Sequence, residues 1–221
     1  MDFAFYKEIL IPALNRGLII SLLLIIPAGF FGILLGIVTG TFRVYGHPIA
    51  RKIADGYTAV FRGTPLVVQL FIIYFGLPNL GIYFNAYTAA VIGFILCSGA
   101  DHSEYIRGGL FSIKKGQYMA AQSLGFSTFK TMLWVIIPQA VRRALPGCGN
   151  ELIYLIKYSS LAYIITCIEL TGEGKIIANI YFRFTEVFLV IGIYYLILVT
   201  LATIGLHKVE KKLYIPCLLY T

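Results

Sequence analysis

The sequence predicts an all-α membrane protein with about five transmembrane helices. Three observations carry that prediction. The 221 residues are 59% hydrophobic and only 13% charged, too little polar surface for a soluble domain of this size. Apolar runs close to the ~20 residues that a bilayer core requires recur along the chain. The basic residues behind the net charge of +8 fall in the loops between those runs, which fits membrane topology better than nucleic-acid binding.

The elements follow in order. Met1 to Arg16 is short and of mixed charge, and is expected to lie along a membrane face. The first span runs from about Leu18 to Thr39; no small-residue cleavage site follows it, so it reads as a retained span. Gly32, Gly36 and Gly40 recur at helical spacing, which admits a second helix closely in lipid; the plainer reading is that glycine is common in such helices. Arg43, His47, Arg51 and Lys52 form the next loop, where Pro48 breaks the helix. The second span runs from about Ala54 to Phe75. Arg62-Gly-Thr-Pro65 interrupts it, and the backbone groups freed there must be satisfied by protein or water. After the uncharged stretch Leu77 to Asn85 comes the third span, about Ala86 to Gly109. A central loop carries Lys114, Lys115 and Lys130, with Arg142 and Arg143 just after it. The fourth span starts near Pro146, passes Lys157-Tyr-Ser-Ser160 and reaches Glu169-Leu-Thr-Gly172. The last runs from about Glu186 to Leu206, with Lys208, Lys211 and Lys212 behind it.

Basic loops stay on the cytoplasmic side. This places the central loop and the C-terminus inside and the N-terminus outside, which requires an odd number of spans. With no internal repeat or linker, residues 1–221 read as one domain, with a cytoplasmic loop at 114–138 inside it.

Ionisable residues within a span cost several kcal/mol and usually face a cavity or a partner. Asp101 and Glu104 are one helical turn apart and share a face. Lys157 lies about 16 Å into span four at 1.5 Å per residue, and Glu169 lies toward its outer end. Arg62, Gln69 and Ser160 are further polar candidates for a substrate pathway. Their alternative roles are internal ion pairs or helix-end residues reaching the headgroups, Glu104 and Arg107 in particular.

Hydrolytic motifs are absent from the sequence. There is no G-x-x-x-x-G-K-S/T loop, and Gly172-Glu-Gly-Lys175 fails its spacing; there is no H-E-x-x-H and no G-x-S-x-G. No nucleotide, cofactor or metal site is expected on this chain, which reads as no enzyme by itself. Cys97, Cys148, Cys167 and Cys217 show no C-x-x-C spacing and read as small apolar residues.

The central loop is the polar exception. Gly116-Gln-Tyr-Met-Ala-Ala-Gln-Ser-Leu-Gly125 is rich in small residues, and Ala120, Ala121 and Gly125 let another surface approach the backbone. Gly125 can take positive φ and turn the chain between two short helices, and Ser127 stands where the second is capped. Docking onto a soluble partner explains such a segment; an ordinary loop is the alternative.

This stretch resembles the EAA loop of ABC importer permeases, whose pattern is roughly E-A-A, three residues, G, a spacer, then I-x-L-P or a variant. Here Ala120-Ala121 is followed by Gly125 and by Ile136-Ile137-Pro138. Further blocks are similar to the polar amino-acid uptake branch (histidine/arginine/glutamine-type, MetI-like transmembrane domain). They are Phe61-Arg-Gly-Thr-Pro-Leu66, Gln69-Leu-Phe71, Tyr74-Phe-Gly-Leu-Pro78, Glu104-Tyr-Ile-Arg-Gly-Gly109, Pro138-Gln-Ala-Val-Arg-Arg-Ala-Leu-Pro146 and Glu169-Leu-Thr171. The resemblance covers roughly Arg16 to Leu213.

The resemblance implies the permease subunit of an ATP-driven importer of polar amino acids in a bacterial inner membrane, working by alternating access. It implies ATP-binding cassette ATPase subunits that hold ATP and Mg, an extracytoplasmic amino-acid-binding protein, and a second permease in a homodimer or heterodimer. Membrane lipid surrounds it, and no nucleic acid is involved. Lys115, Gly116, Met119, Ala120, Ala121, Leu124, Gly125 and Phe126 would couple to the ATPase. Met119 departs from the pattern, because a thioether stands where the family usually has glutamate.

Relatives often read N-Y-G-A-Y in the third span and K-D-T-S-L in the fourth; this chain reads Cys97-Ser-Gly-Ala-Asp101 and Lys157-Tyr-Ser-Ser-Leu161. The changes look like an exchange of a carboxylate and a phenol between facing helices. Asp101 is then expected to hold the substrate's ammonium group or a cationic side chain, with Glu169 as a second acidic wall. That favours arginine, lysine or histidine, with glutamine as the alternative. In the competing reading Asp101 only neutralises Lys157. Two rival classes are an ion-driven secondary carrier without an ATPase and a non-transporting membrane scaffold. Only the ABC reading explains Ala-Ala-x-x-x-Gly between spans three and four.

Overall fold

Backbone polar groups in lipid must be satisfied within the protein, and helices do this locally. The computed structural model describes residues 3–213, and among the described residues every regular element is helical. A π-helical turn, Phe5–Leu10, runs straight into α1 (Ile11–Tyr45), so the two form one 41-residue helix. The expected separate N-terminal segment is thus the start of the first span, since no helix-stopping signal separates them. Pro27 stands inside α1 and has no N–H for the Leu23 carbonyl. The Tyr87 hydroxyl donates to that carbonyl at 3.0 Å instead.

The second expected span is broken where the sequence places the interruption. α2 (Pro48–Gly63) stops before Thr64-Pro65, and α3 (Leu66–Phe71) resumes and continues through a π-helical turn to a 3-10 turn at Leu77–Leu80. Thr64 precedes proline and is pushed out of helical conformation. Its carbonyl and hydroxyl both accept from Gln69 Nε2, each at 3.0 Å, so a side chain satisfies the break.

α4 (Ala86–Phe111) follows, capped by the Asn85 side chain, which accepts from the Thr88 N–H at 2.8 Å. The polar loop folds into α5 (Lys115–Ser123) and α6 (Thr128–Thr131). A π-helical turn leads on to α7 (Ile137–Tyr158), which contains Pro146 in its interior instead of starting there. A 3-10 stretch, Ser159–Ile165, precedes α8 (Leu170–Tyr181) and α9 (Phe184–Leu213).

Among the described residues, two helices, Phe5–Tyr45 and Phe184–Leu213, are long and apolar enough to cross a membrane. The number rises to four when Pro48–Gly63 with Leu66–Leu80, and Thr128–Ile165 with Leu170–Tyr181, each count as one broken span. α4 has the length but carries Asp101, His102, Glu104 and Arg107 in its second half. α9 exposes Leu189, Ile193, Leu196 and Leu201, a surface suited to lipid and not to water.

The chain divides into two compact units. Unit 1 comprises Met1–Phe30, Thr64–Ile95 and Leu152–Ala202. Its core joins Leu10 and Leu14 to Leu170 and Ile177 of α8 and to Val187 and Ile191 of α9. Unit 2 comprises Phe31–Gly63, Leu96–Glu151 and Thr203–Thr221. Its core groups Ile106 and Leu110 of α4 with Ile136, Ala140 and Ala144. Here the glycine ladder of α1 meets its partner. A Cβ on Gly32 would stand 3.0 Å from Ser98 Oγ, one on Gly40 2.9 Å from the Ser103 carbonyl oxygen, and one on Gly36 would collide with His102. The close-packing partner of those glycines is therefore α4 of the same chain, held by packing in the absence of a hydrophobic driving force.

Candidate functional site

In unit 2, α1, α2 and α4 bring together a charged cluster. Glu104 is its centre. Its Oε1 pairs with Arg43 Nη1 at 2.8 Å and Arg62 Nη1 at 3.2 Å, and its Oε2 with Arg107 Nη2 at 2.7 Å. Asp101 Oδ1 takes Arg62 Nε at 2.9 Å, and Asp55 Oδ1 takes Arg43 Nε at 2.7 Å. Helical spacing lines Asp101, Glu104 and Arg107 along one face of α4, toward the arginines of α1 and α2. Glu104 and Arg107 therefore form an internal ion pair. Asp101 has Arg62 as its counter-ion, where the competing reading of the sequence named Lys157. Lys157 belongs to unit 1, its ammonium 4.4 Å from the Tyr154 ring centroid.

Glu104 and Arg43 are mostly buried, with side chains 20% and 10% exposed. Removing one partner from such a pair strands the others. Glu104→Gln is expected to destabilise the fold by roughly 2–3 kcal/mol, the buried-pair range lowered for partial exposure. The thermal unfolding midpoint in detergent reads this out; an unchanged midpoint would mean the cluster adds nothing to stability.

The same unit holds Glu151, which the sequence argument for Lys157 passed over although the rule on ionisable residues within spans applies to it equally. Glu151 lies on α7, is buried, and has Asp101 and Arg62 as its electrostatic neighbours. Three carboxylates (Asp55, Asp101, Glu104) thus pair with three guanidiniums (Arg43, Arg62, Arg107), and Glu151, under the influence of Asp101 and Arg62, makes no salt bridge among the described residues.

In unit 1 the expected pathway residues have local partners. Glu169 is fully buried and caps α8. It accepts from the N–H groups of Thr171 at 2.9 Å and Gly172 at 3.0 Å, the Tyr195 hydroxyl at 3.0 Å and the Ser21 hydroxyl at 3.3 Å. That corrects the expectation of an open acidic wall, because the carboxylate is already satisfied by the helix it starts. Ser160 Oγ donates to the Lys157 carbonyl at 2.7 Å. Tyr154 and Tyr158 stack with centroids 6.0 Å apart. Gln69 holds the α2–α3 break.

The central loop is built by its small residues. α5 ends at Leu124, and Gly125 takes φ +84°. The Gly125 N–H donates to the Gln122 carbonyl at 2.9 Å and the Phe126 N–H to the Ala121 carbonyl at 3.1 Å, closing a Schellman turn. Ser127 caps α6, its side chain accepting from the Lys130 N–H. Lys115, Gly116, Met119, Ala120, Leu124, Gly125 and Phe126 are exposed, whereas Ala121 is buried and packs inward. Met119 is 61%, Leu124 78% and Phe129 73% exposed, an apolar strip on an otherwise polar element.

Among the described residues, no group of three His, Cys, Asp or Glu is placed to hold a metal. Cys97, Cys148 and Cys167 are free thiols; Cys217 lies outside the described residues.

The profile of the family described as "Binding-protein-dependent transport system inner membrane component" matches residues 32–214. The chain is 39% identical to the probable amino-acid ABC transporter permease protein YckA of Bacillus subtilis, across 91% of this chain and 89% of that one. It is 36% identical to the glutamine transport system permease protein GlnP of Escherichia coli, across 92% and 94%. It is 38% identical to the arginine transport system permease protein ArtQ of Bacillus subtilis, across 92% and 93%. The crystal structure of an amino acid ABC transporter with histidines superposes with TM-score 0.82 at 34% identity, covering 91% of this chain and 94% of that one.

Proposed function

The chain belongs to the family of binding-protein-dependent transport system inner membrane components, and from that premise we propose that it is the permease subunit of an ABC importer of amino acids. The α5–turn–α6 element carries the reading. A short helical pair with an exposed apolar strip has little reason to exist between spans unless a soluble subunit covers it. Lys115, Gly116, Met119, Ala120, Leu124, Gly125 and Phe126 present that surface, with Ala121 supporting it from beneath.

The chain works as one transmembrane domain of five spans in a bacterial inner membrane, N-terminus outside and C-terminus in the cytoplasm. The loop at 114–138 docks on a separate ATP-binding cassette ATPase, which binds ATP and Mg. One loop engages one ATPase, so a second permease subunit, identical or related, completes the pair. A binding protein delivers the amino acid from outside, and ATP-driven closure of the ATPases rocks the permeases between outward and inward access.

Basic amino acids are the favoured substrates, with glutamine as the alternative; the similar proteins are named for both kinds. In unit 2, Arg62 already neutralises Asp101, and Glu151 is the surplus carboxylate. Burying it unpaired is costly, and a cationic substrate relieves that cost. Lys157 and Ser160 are the pathway residues of unit 1.

The test is reconstitution. Co-expression with the ATPase should yield a co-purifying complex, and vesicles containing it should take up arginine when ATP and binding protein are supplied. Uptake driven by an ion gradient without ATPase would favour the secondary carrier. No transport with a correctly assembled complex would favour the scaffold.

A further inference from the structure

Unit 2 contains a cavity of about 1180 Å³ between the end of α1 and the α5–α6 element. Phe42 and Tyr45 form one wall, Phe129 and Leu133 the other. Its charged lining residues are Lys114 and Lys115, beside His47 just past the end of α1, and no carboxylate lines it. Both lysines are exposed, and neither ammonium has an ion-pair partner among the described residues. No side chain caps α5, whose N-terminus begins at Lys115, so the helix dipole adds to the positive end.

The cavity is therefore amphiphilic, apolar along α1 and cationic where α1 stops. Its α1 wall is continuous with the outward face of that helix, where Val38 and Phe42 are exposed on a candidate membrane span. We propose that it is a binding site for an anionic phospholipid, with acyl chains along Phe42 and Leu133 and the headgroup phosphate against Lys114 and Lys115. A soluble ligand would not need the apolar length, and a zwitterionic lipid gains less from two unpaired lysines. The site would put a lipid against the element assigned to ATPase coupling, since Lys115 and Met119 line it. It rests on the membrane reading alone and not on that coupling role.

The experiment uses the full chain in lipid nanodiscs. Trp134 is the only tryptophan, so Trp134→Phe gives a silent background, and Phe42→Trp or, separately, Phe129→Trp reports from either wall. Quenching is titrated with brominated-chain phosphatidylglycerol and with brominated-chain phosphatidylcholine. Phosphatidylglycerol should quench at a roughly tenfold lower mole fraction. Lys114→Gln with Lys115→Gln should bring the two lipids within about twofold, as should high salt. Equal quenching in the parent, a preference untouched by the lysine changes, or no quenching by either lipid would overturn the proposal. The last result would mean that no acyl chain enters the groove. No ATPase or transport is required, so the lipid preference stands or falls separately from the coupling assignment.

Discussion

Gly125→Leu is expected to leave the permease folded and in the membrane while reducing ATP-coupled uptake by about tenfold or more. Within this chain a Cβ at Gly125 has nothing within 4 Å, so the side chain starts into open space. The intrinsic cost is conformational: φ is +84°, where a non-glycine residue loses about 1–2 kcal/mol. That is too small to unfold a membrane helix bundle but enough to misplace α6 against a partner. The extra bulk also stands on the exposed strip that the ATPase is proposed to cover. Two further variants separate these causes. Gly125→Ala strains the turn with little bulk, while Gly125→Asn tolerates the left-handed conformation and adds bulk. ATP hydrolysis and uptake are measured together in vesicles. If Leu, Ala and Asn all transport normally, Gly125 does not lie at the coupling surface.

Glu151→Gln is expected to raise the KM for arginine by about tenfold or more while glutamine uptake changes by less than about twofold. The physical reason is the loss of a charge-assisted contact with a cation, made only by substrates that carry one. Asp101→Asn should behave differently. It strands Arg62, with only the longer Glu104 contact at 3.2 Å remaining, so all substrates should suffer alike. Adding Arg62→Met should then restore part of the transport. If instead Asp101→Asn selectively loses cationic substrates and Glu151→Gln does not, the roles of the two carboxylates are exchanged. Equal losses of arginine and glutamine in Glu151→Gln would remove the argument for a basic substrate.

Much of the local structure was legible in the residues themselves. The Arg62-Gly-Thr-Pro65 break follows from proline and its predecessor, and the glycine turn with its serine-capped helix follows from φ preferences and capping chemistry. Helix ends were less legible. Pro146 reads as the start of span four but lies within a continuous helix, and at Pro27, inside α1, the orphaned carbonyl is met by Tyr87, far away in sequence. Sequence spacing has no means of finding that donor.

By itself, the sequence determined the class: long apolar runs with basic loops make a helical membrane protein, and ordered motif blocks identify the permease family. Those signals are local or cumulative and survive without knowledge of contacts. Tertiary structure alone decided what each polar residue does. It gave Asp101 to Arg62, bound Glu169 to the start of α8, turned Gln69 onto the Thr64 backbone and left Glu151, among the described residues, without a salt bridge. An ionisable side chain in a membrane takes its role from whichever partner lies within a few ångströms, and that partner comes from another helix. Residue type and spacing reveal that such a partner is needed; only packing selects which one it is.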